Sequence, residues 1–160
     1  MVGIMNNELL VQQTQQCEPN PDWLNEFMSV YQTLTIDNLV LLESIYHQDV
    51  TFIDPIHQIK GLDDLQQYFQ GLYQNLSSCN FRIDNAITQP NQAAIYWQMT
   101  YQHPKLNKGH VVSVNGSSHL IAKEGKVIYH RDFLDLGSML YEQLPLLGKI
   151  ICWVKKRAAK

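Results

Sequence analysis

Cysteine is scarce in this chain, and the few residues are poorly placed for joint work. Cys17, Cys79 and Cys152 are far apart, odd in number and never form a Cys-x-x-Cys pair. That argues against a disulfide framework and against the usual zinc ligand sets, and it fits a reducing, cytoplasmic setting. The six histidines contain no His-x-His or His-x-x-x-His pair, so no metal and no cofactor is expected. Charge is also thin, at 17% of residues, and the net value of -3 offers no general attraction for nucleic acid. No run is long and apolar enough to span a bilayer. The opening residues, MVGIMNNELLVQQTQQ, lack a basic start and an apolar stretch, and Glu8 comes early, so a signal peptide is not expected. There is no P-loop, no GxGxxG and no GxSxG, which leaves nucleotide and serine-nucleophile chemistry without support.

What remains is an ordinary globular composition. The chain has 160 residues, 45% of them hydrophobic, enough for one domain with its own core. The Gln- and Asn-rich residues 1–19 read as a flexible tail. Residues 20–136 read as the domain, and 137–160 as a C-terminal helical extension.

The segment NPDWLNEF opens a first helix, with Asn20 as N-cap and Pro21 at the first helical position. Trp23, Phe27, Val30, Tyr31 and Leu34 then recur at helical spacing. Asp37 is expected to open a second helix, with Leu39, Leu42, Ile45 and Tyr46 along one stripe. DVTFID reads as a short strand closed by Pro55. After Gly61 a third helix carries Leu65, Tyr68, Phe69, Leu72 and Leu76. The second half alternates as strands do: CNFRIDNAIT, AAIYWQMTYQ, GHVVSVNGSSHLIA and VIYHRDFL, with a bulge expected at Gly116. Helices followed by a meander of strands imply an α+β fold.

Few residues stand out chemically. Asp54 ends an apolar strand beside Phe52, Ile53 and Ile56. It reads either as a base with a raised pKa or as an ordinary Asp-Pro turn. His130 and Asp132 share one strand face with Ile128 and Leu134, either as a hydrogen-bonded site or as a wet face. His119 is a lone strand histidine, a type more often structural than catalytic. The aromatic set, Trp23, Phe27, Tyr31, Tyr68, Phe69, Tyr73 and Trp97, is mostly core, with some members available to line a cavity.

The order of elements, with DVTFIDP early and VIYHRDFLDL last, resembles the SnoaL-like group of the nuclear transport factor 2-like superfamily over residues 22–140. The resemblance implies a cone: a curved, mixed or antiparallel sheet wrapped around the N-terminal helices, with a pocket between them. Ketosteroid isomerases of that superfamily have a general-base aspartate at the position matched by Asp54. Their oxyanion tyrosine matches Tyr31, and their oxyanion aspartate falls near His119. The run Arg131-Asp132-Phe133-Leu134-Asp135-Leu136 resembles limonene-epoxide hydrolase, whose water-activating aspartate corresponds to Asp132. SnoaL-like polyketide cyclases also use an acidic residue on this strand. The hydrolase's middle-strand Arg and Asp are replaced by Gln98 and Thr100, and its water-orienting Tyr and Asn by Phe52 and Asp54, which argues against its full machinery.

These readings make Asp132 and Asp54 the expected bases, with Tyr31, His119 and His130 as donors. Phe27, Phe52, Tyr68, Gln98 and Thr100 are the expected pocket lining. The ligand would be an apolar small molecule, either turned over by acid–base chemistry (isomerisation, cyclisation or hydration) or carried, as a lipid-like or polyketide-like ligand, without turnover. A module with a vestigial pocket is a third alternative. If Gln98 and Thr100 face the cavity, Ile95, Trp97, Met99 and Tyr101 form an outer stripe suited to the homodimer contact common in this superfamily. The last helix, with Trp153 and the basic Lys155, Lys156, Arg157 and Lys160, either touches a membrane surface or a partner, or packs Leu146, Ile150 and Val154 onto the domain.

Overall fold

The computed structural model describes residues 19–158, so the expected N-terminal tail and Lys160 lie almost wholly outside the described residues. Helix α1 (Asp22–Thr33) turns Leu24, Phe27 and Tyr31 inward, one stripe at helical spacing. It starts one residue later than the sequence suggests. Pro21 is the cap, and its carbonyl accepts from the amides of Leu24 and Asn25, a role that needs no N–H of its own.

The second helix is shorter than expected. A 3₁₀ turn (Ile36–Leu41) runs into a single turn of α2 (Leu42–Ile45), and the chain becomes extended at Tyr46. Tyr46 therefore opens strand β1 (Tyr46–Ile53) rather than closing a helical stripe. A short strand β2 (Gln58–Lys60), not foreseen, pairs back on β1 and makes Asp54 to His57 the loop of a hairpin. Helix α3 (Leu62–Gln74) buries Leu62, Leu65, Phe69 and Tyr73.

Strands β3 (Ser78–Gln89), β4 (Gln92–Gln102), β5 (Val112–Lys123) and β6 (Lys126–Leu134) form an antiparallel meander. The six-stranded order is β2-β1-β6-β5-β4-β3, with β1 and β6 parallel. The result is a curved, mixed, open sheet with helices against its inner face, an α+β architecture.

Two expectations about faces are corrected. Ile95, Trp97 and Tyr101 on β4 are buried, so the apolar stripe is the inner face and not an outer dimer contact. Gln98 and Thr100 consequently point away from the core. Burying the apolar set is the only placement that removes it from water. Gly116 is not a bulge: it pairs in register with Trp97 and Leu134. A side chain there would run into the Trp97 indole, which lies directly over it. The bulge of this region falls instead between Ile121 and Ala122.

Beyond β6, Asp135 caps a short α4 (Leu136–Met139) by accepting from the Ser138 amide at 3.1 Å. A 3₁₀ turn (Tyr141–Gln143) leads to α5 (Pro145–Ala158). Leu146, Ile150 and Val154 are exposed, so the reading in which they pack onto the domain is also corrected.

Candidate functional site

Alternation along β6 sends His130, Asp132 and Leu134 to the inner face. His130 is only 1% exposed, among Phe27, Tyr31, Tyr46 and Phe52. Its Nε2 lies 2.7 Å from Asp132 Oδ1. Ser118, opposite Asp132 on β5, donates to the same oxygen at 2.5 Å. Trp97 Nε1 in turn donates to the Ser118 hydroxyl at 2.8 Å. On the other side His130 Nδ1 lies 2.6 Å from the Tyr46 hydroxyl, which lies 2.8 Å from that of Tyr31.

The directions of these bonds follow from one fact. A carboxylate can only accept, so His130 Nε2 carries a proton. In that tautomer Nδ1 accepts from Tyr46, and Tyr46 accepts from Tyr31. Two donor chains, Tyr31–Tyr46–His130 and Trp97–Ser118, thus converge on Oδ1 of Asp132. Oδ2 has no donor among the described residues. Burial holds the Tyr31 and Tyr46 hydroxyls well above the ordinary tyrosine pKa, and the Asp132 charge adds to the rise in both. Both phenols are neutral donors at physiological pH.

Asp132 forms part of the wall of a cavity of about 220 Å³ between the sheet and α3. The wall is otherwise largely apolar: Phe52, Phe69, Phe81, Trp97, Met99 and Leu134 contribute to it. Asp54 is the other carboxylate in the lining. Its position differs in kind. Asp54 Oδ1 accepts from the amides of Ile56 and His57, each at 2.6 Å, and Oδ2 accepts from the Tyr68 hydroxyl. These bonds shape the hairpin loop and take up both oxygens. Burial, followed by this bond to Asp54, raises the Tyr68 pKa.

The structure brings Asp132, Asp54, Tyr31, Phe52 and Tyr68 to one cavity and puts His130 directly behind Asp132. Phe27 packs on His130 from the core without lining the cavity. Gln98, Thr100 and His119 do not join it. Gln98 bonds Asn115 on the outer face, and His119 lies against Tyr129 there. Tyr46 and Ser118 were not expected at the site, and Trp97 only as one of the aromatic set available to line a cavity. Ser118 meets Asp132 only through the pairing of β5 with β6, and Trp97 faces inward only because the helices pack on that side of β4, so neither carried a local signal. Tyr46 carried none, because its helical stripe explained it. Among the described residues no group of three His, Cys, Asp or Glu stands together as a metal site would require.

Residues 26–130 match the model of the SnoaL-like domain. No curated protein matches the chain in sequence. Solved structures do resemble it. A protein assigned as a SnoaL-like polyketide cyclase from Jannaschia sp. CCS1 aligns with a TM-score of 0.68 at 12% identity, over 79% of this chain and 94% of that one. A protein with a ketosteroid isomerase-like fold from Catenulispora acidiphila, in complex with trimethylamine, aligns with a TM-score of 0.67 at 14% identity, over 79% and 96%. A nuclear transport factor 2-like protein from Burkholderia pseudomallei aligns with a TM-score of 0.64 at 11% identity, over 74% and 92%. Likeness at such identity speaks for the fold alone. Together with the match over residues 26–130, it shows that the chain belongs to the SnoaL-like domain family, on a nuclear transport factor 2-like fold.

Proposed function

We propose that the protein is an acid–base catalyst for an apolar small molecule, with Asp132 as the base. One observation carries this reading. Asp132 has one oxygen fixed by His130 and Ser118 while the other is left to a largely apolar cavity. A carboxylate so oriented can take a proton from a bound carbon acid or from a water. Asp54 supports the cavity's rim and keeps its oxygens in the loop, so it serves shape rather than proton transfer. The reaction class is isomerisation, cyclisation or hydration. Turnover of a panel of apolar ketones, polyketide-type esters and epoxides, compared between the wild type and Asp132→Asn, tests it. Turnover that survives the substitution would overturn the assignment.

A specific observation favours a second reading, a carrier without turnover. The Tyr31 hydroxyl hydrogen-bonds Tyr46, the Tyr68 hydroxyl donates a hydrogen bond to Asp54, and His119 is on the outer face. The expected donors to a developing oxyanion are thus committed or absent. Native mass spectrometry of freshly purified protein separates the readings. A stoichiometric lipid-like or polyketide-like ligand, with no turnover of any substrate offered, favours the carrier.

The homodimer moves to the other face of the sheet. Ile87, Tyr96 and Phe133 are exposed on the outer side of β3, β4 and β6, with Tyr96 and Phe133 both paired to Ser117. Sedimentation at micromolar concentration tests this, and a monomer there counts against it. A cytoplasmic setting rests on cysteines that are few and far apart in the sequence, with Cys79 and Cys152 free among the described residues. No helix among the described residues is long and apolar enough to cross a membrane.

A further inference from the structure

Helix α5 presents its apolar side to solvent. Leu146, Ile150, Trp153 and Val154 are 80%, 58%, 60% and 50% exposed. Their spacing of four, seven and eight residues from Leu146 puts them on one stripe. The opposite side of the helix faces the domain. Gly148 is buried there, so close to the Glu142 carbonyl that a side chain would collide with it. Lys155 on that side reaches Glu142 and, at 3.4 Å, Asp135. A glycine contact and an ion pair therefore fix the helix with its apolar stripe outward.

The charges around the stripe are of one sign. Residues 145–160 hold five of the chain's twelve Lys and Arg and none of its fifteen Asp and Glu. Lys149 and Lys156, seven residues apart, lie along one edge of the stripe. Arg157 lies over the Trp153 ring, 5.5 Å from its centre. The rest of the chain is acidic, so the basic end stands out on a molecule of net charge -3.

We infer that α5 is a docking helix for an anionic lipid surface, lying in the headgroup region with Leu146, Ile150, Trp153 and Val154 inserted. Its 14 residues are too few to cross a bilayer, and its residue types are those of an interfacial helix. Lys149, Lys156 and Arg157 supply the attraction to anionic headgroups. A second copy is disfavoured as the occupant. A two-fold contact would lay this stripe on itself and bring two helices without a single acidic residue face to face. The inference is independent of what the cavity binds.

Flotation of the full chain with phosphatidylcholine vesicles, and with vesicles also containing phosphatidylglycerol, tests it. The expected result is binding to the anionic vesicles that weakens as salt rises. Each basic side chain near such a surface contributes about fivefold in affinity, so Lys149→Glu with Lys156→Glu is expected to weaken binding by about twenty-five-fold or more. Ile150→Asp with Trp153→Asp is expected to abolish it while leaving the urea unfolding midpoint in place. Equal binding to neutral and anionic vesicles, no binding to either, or unchanged binding by both double variants would overturn the inference. So would self-association of the wild type that Ile150→Asp abolishes, because the stripe would then belong to a second copy.

Discussion

The Tyr46 hydroxyl lies 2.6 Å from Nδ1 of His130, joining residues 84 positions apart across the parallel pairing of β1 and β6. Tyr46 fixes the tautomer of His130, and His130 then presents Nε2–H to Asp132. Both groups are buried, so neither has water as a substitute partner. Tyr46→Phe is expected to destabilise the fold by about 1–3 kcal/mol, because it leaves the imidazole nitrogen and the Tyr31 hydroxyl unpaired. Urea denaturation measures this. A loss within experimental error of zero would mean that the chain from Tyr31 to Asp132 is not held as described.

Asp132→Asn keeps the shape and removes the basic oxygen. As a general base, Asp132 is expected to account for about 10²–10⁴-fold in rate. The amide still accepts from Ser118 or His130 through its carbonyl oxygen, so far-ultraviolet circular dichroism should be unchanged. Under the carrier reading, the same substitution shifts ligand affinity only modestly. A rate that falls together with the unfolding midpoint would point to a structural role instead.

Alkali should unfold this protein in a way that reports on its tyrosines. Tyr31 and Tyr46 have folded pKa values raised above the ordinary value near 10, chiefly by burial. The stabilisation they give is therefore complete below about pH 10 and is lost progressively as pH rises toward their folded values. In that window each contributes a slope of about 1.4 kcal/mol per pH unit. Tyr31→Phe removes one such share, so its stability should fall less steeply with pH than that of the wild type. Parallel curves for the two proteins would contradict the burial of that hydroxyl.

Gly116 holds the space under the Trp97 ring. Gly116→Ala is expected to push the indole off Ser118 and to destabilise the fold by about 1–3 kcal/mol, the usual range for overpacking. Tryptophan emission should change with it, since Trp97 Nε1 would lose its hydroxyl partner. A variant with the wild-type spectrum and midpoint would show that the ring has room to move aside.

Residue patterns made much of this molecule legible. The stripe of Leu65, Phe69 and Leu72 could only be a helix, and the alternation of CNFRIDNAIT and AAIYWQMTYQ could only be strands. A period of two also puts His130 and Asp132 on one face, and Asp54-Pro55 offers a turn among its readings. These are local facts, set by backbone geometry over a few residues. The inner face of β4 was not local. Alternation divides a strand into two sides, but only the helices packed against it decide which side leaves water, and they chose Trp97 and Tyr101 over Gln98 and Thr100. The same choice sent His119 outward. Tyr46 fits a helical stripe and a strand start equally well, and the bulged pairing of β1 with β6 settled it. The site depended on that settlement. Tyr46, His130 and Ser118 come from three strands, and the register between strands, which no short window of sequence contains, brings their polar atoms within hydrogen-bond distance around Asp132.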